Sequence, residues 1–253
     1  MLIKGTETRE QLRAMHSHGL IRDRLAAPAR RSYLADFIYG GIDGAVTTFA
    51  VVSSAAGASL DARIVIILGV ANVVADGFSM AAANFLGARA DQQQAARARR
   101  SEEIEIDRYP EGEREEVRQI FRAKGFEGET LEKVVQVITA DRERWIQTML
   151  AEEHGLGTAT RHPLPAATAT FVAFAIIGAI PLLPFVVALA GLTLPAPFAA
   201  SAIMTGVAFF AVGALKSFFV EQSWWRSGLE TLAVGALAAI MAYGVGVALG
   251  SLA

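Results

Sequence analysis

The chain has 253 residues, no cysteine and a formal net charge of −2; 53% of its residues are hydrophobic and 19% charged. Zero cysteines exclude a disulfide-stapled secreted domain, Cys-ligated zinc, haem attachment and thiol chemistry, and the near-neutral charge gives no reason to expect a nucleic-acid partner. The mean hydropathy of +0.38 is high for a soluble protein. Charge is also unevenly placed: the 54 residues between Arg161 and Lys216, and the 23 after Glu230, contain no Asp, Glu, Lys or Arg. Uncharged apolar runs of about 20 residues read as membrane spans. The expectation is an all-α polytopic protein in a lipid bilayer.

Residues 1–32 form a basic segment with Lys4, Arg9, Arg13, Arg22, Arg24, Arg30 and Arg31. No short apolar core with a small-residue cleavage site follows, so no cleaved signal peptide is expected. Gln11 to Leu25 reads as an amphipathic helix on the membrane surface, with His16 and His18 as solvated residues. Residues 33–87 carry the first two spans, Tyr33 to Ala58 and Ile64 to about Gly87. A charged stretch, 88–162, follows with 13 Lys+Arg and 16 Asp+Glu. Residues 163–253 carry three more spans: Ala166 to Ala190, Phe198 to Val220 and Leu229 to Leu252. With five spans, every basic residue except Arg63 falls on one side of the membrane. That side is read as cytoplasmic, and it holds the N-terminus and the middle region.

The middle region reads as helices. Ala88 to Ile106 continues the second span, Tyr109-Pro110 and Gly112 break it, and Glu113 to Lys124 follows. Thr130 to Ala140 places Leu131, Val134, Val135 and Ile138 on one side. Asp141 caps a last helix running to about Glu153, ended by Gly155 and Gly157. These make a small bundle docked onto the membrane domain.

Acidic residues within a bilayer cost at least a few kcal/mol each and default to functional hypotheses. Asp36 and Asp43 are two helical turns apart and share a face; Asn72, Asp76 and Met80, spaced by four, share another. Together they offer a path of carboxylate and amide oxygens with one thioether, while Gly40, Gly41 and Gly44 allow close helix approach. The plainer reading places Asp36 and Asp76 at the interfaces as caps. In the middle region Glu102 and Glu105 are i,i+3, Glu113 and Glu116 repeat that spacing, and Met149 and Glu153 are i,i+4. Helix-borne Glu pairs of this kind build multi-metal carboxylate sites, with oxygens suiting Mn²⁺ or Fe²⁺ and a thioether disfavouring Mg²⁺ and Ca²⁺. An acidic face balanced by neighbouring arginines fits the spacing equally well. Lys216, Glu221 and Glu230 read as interfacial anchors. Pro181 and Pro184 read as a kink, with a cation site on the freed carbonyls as the alternative.

Three stretches resemble the vacuolar iron transporter family: Asp36-Phe-Ile-Tyr-Gly-Gly-Ile-Asp-Gly44, Ala71-Asn-Val-Val-Ala-Asp-Gly-Phe-Ser-Met80 and Gly228-Leu-Glu-Thr-Leu-Ala-Val-Gly235. The five-span plan with a large insertion after the second span is similar too. The resemblance implies a homodimeric transporter that moves Fe²⁺, and often other divalent metals, out of the cytoplasm in exchange for protons. It places the pathway between subunits along the first two membrane helices, with Asp43 and Met80 in the intramembrane ion site and Asp36 near its cytoplasmic entrance. It also implies a cytoplasmic metal-binding domain using Glu102, Glu105, Glu113, Glu116, Met149 and Glu153. Two positions depart from the family pattern: Asn72 stands where an acidic residue is usual, with Asp76 one turn later, and Leu150 replaces a frequent second methionine.

The expected function is therefore export of Fe²⁺, with Mn²⁺, Co²⁺ or Zn²⁺ as further cargo and protons as counter-ion, by a secondary transporter and not an enzyme. The alternatives are a membrane-anchored carboxylate di-metal oxidase, which lacks the usual Glu-x-x-His pattern because His154 directly follows Glu153, and a non-transporting metal sensor. Composition and the lack of organelle-targeting features suggest a prokaryotic plasma membrane, or the vacuolar membrane if the source is eukaryotic.

Overall fold

The computed structural model describes residues 8–26, 33–156, 161–192, 194–218 and 222–250, and among these no strand occurs. Two compact units divide it, Met1–Arg31 and Ser32–Ala253. The first contains α1 (Arg9–Met15) and α2 (His18–Ala26). Thr8 and Gln11 close a capping box at the start of α1, Gln11 Oε1 accepting from the Thr8 N–H at 2.8 Å. At the other end a His16 ring nitrogen lies 2.8 Å from the Leu12 carbonyl. The single amphipathic helix expected over Gln11 to Leu25 does not form. The chain breaks at His16 and Ser17, and α2 gathers no apolar stripe to lay on a bilayer.

The second unit has five helices long and apolar enough to cross a membrane: Leu34–Gly57, Ala62–Arg108, Pro163–Leu189, Pro197–Lys216 and Trp224–Leu249. They comprise α3 (Leu34–Gly57), α4 (Ala62–Arg108), α8 (Pro163–Gly178) with α9 (Leu183–Leu189), α10 (Pro197–Lys216) and α11 (Trp224–Leu249). The innermost is α3, which packs on α4, α8, α10 and α11. Half of its most apolar stretch (50%) is buried, against 11% for α11. Its small residues permit this. A Cβ at Gly44 would stand 2.6 Å from the Phe174 carbonyl oxygen, and Gly178 on α8 in turn faces the Gly44 backbone. Backbone atoms cannot step aside, so glycine here sets how closely α3 and α8 cross.

The third span is interrupted at a 3₁₀ turn, Ile180–Leu182, which contains Pro181, and Pro184 follows in the first turn of α9. The freed carbonyls stay inside the protein: Pro181 O accepts from Ser201 Oγ at 2.6 Å and Ile180 O from the Leu183 N–H. This is a kink with its backbone satisfied by a neighbouring helix. At the other end of α10, Lys216 pairs with Glu230 of α11 at 3.5 Å; Glu221 lies outside the described residues.

Asp61 caps α4, accepting from the Arg63 N–H at 2.8 Å. With 47 residues, α4 is about 70 Å long, more than twice the roughly 30 Å of bilayer hydrocarbon. Only Tyr109, extended at φ −142°, separates it from α5 (Pro110–Ala123). Pro110 takes the first helical position, where a missing N–H costs nothing, so Gly112 sits in a helix rather than breaking one. The bundle is completed by α6 (Gly128–Thr139) and α7 (Arg142–Glu152), the latter capped by Asp141 accepting from the Arg144 N–H at 2.7 Å. Gly155 turns the chain at φ 64°, and Gly157 falls outside the described residues. Ile106, Val117, Leu131, Val135, Ile138, Trp145, Ile146 and Met149 form the bundle core. Its packing partner is the distal half of α4.

Gly44→Ala is expected to lower the melting temperature in detergent, by an overpacking penalty of about 1–3 kcal/mol. Gly87→Ala, a helical glycine with no atom within 4 Å of its added Cβ, should leave stability unchanged or raise it by up to about 1 kcal/mol. Size-exclusion thermal melts of the two variants check the contrast.

Candidate metal pathway and carboxylate cluster

Two contacts set the register of the antiparallel pair α3 and α4. Near one end Asn84 Nδ2 donates to Asp36 Oδ1 at 3.0 Å, and further along Asn72 Nδ2 reaches Thr47 Oγ1 at 3.2 Å and Thr48 Oγ1 at 3.3 Å. Equal rise along two helices then puts Asp43 level with Asp76, and Asp76 is the charge that acts on Asp43. Asp43 is half-buried, as are Asn72 and Met80, while Asp76, on the same face of α4 as Asn72 and Met80, is exposed. Beyond Asn72 the helices enclose an open groove of about 510 Å³ lined by Val51, Ser54, Leu68 and Ala71. Polar groups thus follow one another between two apolar helices: Asp36 with Asn84, then Met80, then Asp43 with Asp76, then Asn72 with the two threonines.

Asp36 differs from the other acids on this line. It is buried and forms an ion pair with Arg161, which also donates to Asn84 Oδ1 at 2.8 Å. Asn84 in turn donates to Thr170 Oγ1 at 2.7 Å. Neither the interfacial cap nor a free carboxylate describes this residue. It belongs to a closed network spanning α3, α4 and α8.

The second site lies in the bundle. Glu102 of α4 and Glu113 of α5 are almost fully buried, at 1% and 4% exposure, and each has an oxygen, Oε2, without a hydrogen-bond partner. Glu105, Glu116, Glu153 and His154 lie exposed around them. One ligand atom each from Glu102, Glu153 and His154 falls within 4.8 Å of the others, and His154 Nε2 is 2.7 Å from Glu102 Oε1. Met149, four residues before Glu153, is fully buried in the bundle core. Seven other acids of the bundle have basic partners, Lys133 holding Glu129 among them. Arg99 holds Glu103 and Glu143, Arg118 holds Glu115 and Glu132, Arg142 holds Asp107, and Lys124 holds Glu152. Among the described residues no Lys or Arg pairs with Glu102, Glu105, Glu113, Glu116 or Glu153. Among the described residues the only basic group paired with this set of five is the His154 imidazole, on Glu102.

Electrostatics follow. Burial, then the charges of Glu116, Glu102, Glu105 and Glu153, push the Glu113 carboxyl up to about 8. Burial, then Glu153, Glu102 and Glu105, raises Glu116. The hydrogen bond to Glu102 raises His154, because the bond favours the imidazolium. Buried oxygens with lone pairs to spare and mutually repelling carboxylates make a place that takes up protons or a divalent cation.

The chain matches the VIT family model over residues 34–247. The chain belongs to the VIT family. Relatives include a vacuolar iron transporter of Toxoplasma gondii, 30% identical over 94% of this chain and 83% of its own length. Vacuolar iron transporter 1 of Arabidopsis thaliana is 31% identical, over 82% of each chain. That of Eucalyptus grandis is 30% identical, over 83% and 84%. The matched segment takes in the line between α3 and α4 and the carboxylate cluster described above.

Three residues escaped the sequence reading. His154 carried a signal: it directly follows Glu153 where the chain leaves its helix, and such a residue can turn back onto the carboxylates. Asn84 continues the spacing of four that runs through Asn72, Asp76 and Met80. Arg161, the last charge before the long uncharged run, meets Asp36 only through the fold.

In metal-free protein the raised carboxyls make the folded state hold protons that the unfolded chain has released above its ordinary value of 4.5. Stability contributed by Glu113 is full below about pH 4.5 and is lost as pH rises through about 8. Melting temperature in chelator should fall between pH 5 and pH 8.5, and Glu113→Gln should flatten that slope.

Proposed function

We propose that this VIT-family chain is a homodimeric transporter that exports Fe²⁺ from the cytoplasm in exchange for protons, with Mn²⁺, Co²⁺ and Zn²⁺ as further cargo. The observation that carries the reading is the line of polar groups between α3 and α4, continued by α4 into a carboxylate cluster that no described Lys or Arg pairs with. The relatives are named as iron transporters, and this chain has five helices fit to span a bilayer.

In this reading the bundle faces the cytoplasm, in a prokaryotic plasma membrane as in a vacuolar one. Glu102, Glu105, Glu113, Glu116 and Glu153 capture the metal, and Met149 adds a thioether next to them. His154 supplies a nitrogen ligand, which favours Co²⁺ and Zn²⁺ more than Mn²⁺. Within the membrane Asp43 and Asp76 share one level, so they hold either a proton or a metal ion. That competition couples the two fluxes: metal leaves on the acidic side, where protons replace it. The Met80 sulfur discriminates against Mg²⁺ and Ca²⁺, and Asn72 passes the ion on through neutral oxygen. A second copy is required because Asp76 is exposed on a membrane-crossing stretch of the single chain. A carboxylate against lipid there costs about 2.5–3.5 kcal/mol, and a twofold partner covers it while doubling the ligands. The oxidase and sensor alternatives leave this membrane line without a role.

Purified protein in liposomes with a trapped pH dye, given Fe²⁺ anaerobically, should take up metal with opposite proton movement. Asp43→Ala should reduce both to the level of empty liposomes, and retained flux in that variant would refute the mechanism. His154→Ala should weaken Co²⁺ binding by roughly tenfold or more, the scale on which ligand-sphere partners act, with a smaller effect on Mn²⁺. Isothermal titration of the two metals reads that ratio.

A further inference from the structure

We propose that Arg161 is a tethered cation that occupies Asp36 when no metal is there and must leave before a divalent ion can bind, which makes it a determinant of metal access. This rests on the transport reading above. The guanidinium is held by two acceptors at once, Asp36 Oδ1 and Asn84 Oδ1. Asp36 is almost fully buried, and of the two only Arg161 keeps a third of its side chain exposed. Its exposed side gives Arg161 a way out towards water that the carboxylate lacks. Asn84 is saturated in this state: its Nδ2 serves Asp36, Thr170 and the Ala166 carbonyl, and its Oδ1 serves Arg161. Gln92 of α4 donates to the Arg161 carbonyl at 2.9 Å and fixes the backbone from which the side chain swings.

A divalent ion beside an Asp36 that is already paired meets a neutral network and a neighbouring positive charge. Once Arg161 withdraws, the same ion meets a carboxylate oxygen and the Asn84 amide oxygen, both of the hard type that Fe²⁺ and Mn²⁺ accept. Asp36 stands two turns before Asp43 on α3, and Asn84 one turn beyond Met80 on α4. The exchange of guanidinium for metal therefore takes place at the bundle side of the pathway, one step ahead of the Asp43 and Asp76 level. A tethered competitor raises the metal concentration needed to fill the pathway and withholds Asp36 from it in the absence of cargo.

The test is the metal-concentration dependence of initial flux in liposomes for wild type, Arg161→Gln and the double variant Asp36→Asn with Arg161→Gln, with melting temperatures measured alongside. Removing the competitor alone should lower the KM for Fe²⁺ by at least about fivefold, the lower end of coupling between competing ligands. The double variant, which removes both charges of the pair and keeps polar amides in their place, should melt close to wild type, yet its KM should rise because the carboxylate is gone. A purely structural brace predicts the opposite pattern: Arg161→Gln lowers melting temperature and maximal rate with KM unchanged, and the double variant restores both. That pattern overturns the proposal, and if Arg161→Gln does not fold, the double variant decides alone through the direction of its KM. Absence of flux in wild type would sink the transport reading itself, and this proposal with it.

Discussion

A carboxylate taken out of water needs a counter-charge, a proton or a metal, because the charged form left alone in low dielectric is expensive. The chain meets that constraint in different ways at its two acidic centres. At Asp36 a guanidinium from the start of the third span supplies the charge, so the network is complete. At Glu102 and Glu113 no Lys or Arg arrives among the described residues, only the His154 imidazole on one oxygen of Glu102, and the Oε2 of each is left without a partner. Three arginines of the bundle, Arg99, Arg118 and Arg142, are engaged elsewhere, on Glu103, Glu143, Glu115, Glu132 and Asp107. The salt-bridged acids and these two buried ones thus meet the same constraint differently.

The two centres are joined mechanically by α4. A single uninterrupted helix carries Asn72, Asp76 and Met80 along its membrane half and Glu102 and Glu105 along its distal half. A helix of that length transmits rotation and shift without a hinge, so the cluster and the membrane line do not move independently. On the other side of the line α3 is held by glycine contacts to α8 and cannot be displaced cheaply. The polar groups between α3 and α4 are thus held between a fixed wall and a long lever.

How much of this was legible in the sequence follows from the nature of each signal. The five spans were, because uncharged runs such as 162–215 admit no other reading, and so was the continuation of the second span, which meets no Gly or Pro between Ala88 and Arg108. The Glu pairs were visible as spacing, but spacing alone could not separate a metal site from a salt-bridged surface. Which acids Arg99, Arg118 and Arg142 neutralise is decided by tertiary packing. The expected amphipathic helix at Gln11 to Leu25 failed because the apolar residues there are too few and too scattered to outlast the break at Ser17. Arg161 and Asp36 are 125 positions apart, and no local pattern pairs them.

That last pair also explains why an acidic residue near the end of a span is a poor guide to its role when read alone. Asp36 and Asp43 share a helix face and a residue type, and periodicity treats them alike. They differ because α8 begins beside one and not the other, bringing Arg161, Thr170 and the Ala166 carbonyl to the level of Asn84. At the Asp43 level the facing group is Asp76, a second negative charge. One carboxylate is therefore satisfied within the protomer and the next is set against its like. A chain with these two levels in series has, at its first, a position that a cation already fills, and at its second, a position that only an added proton or cation can neutralise.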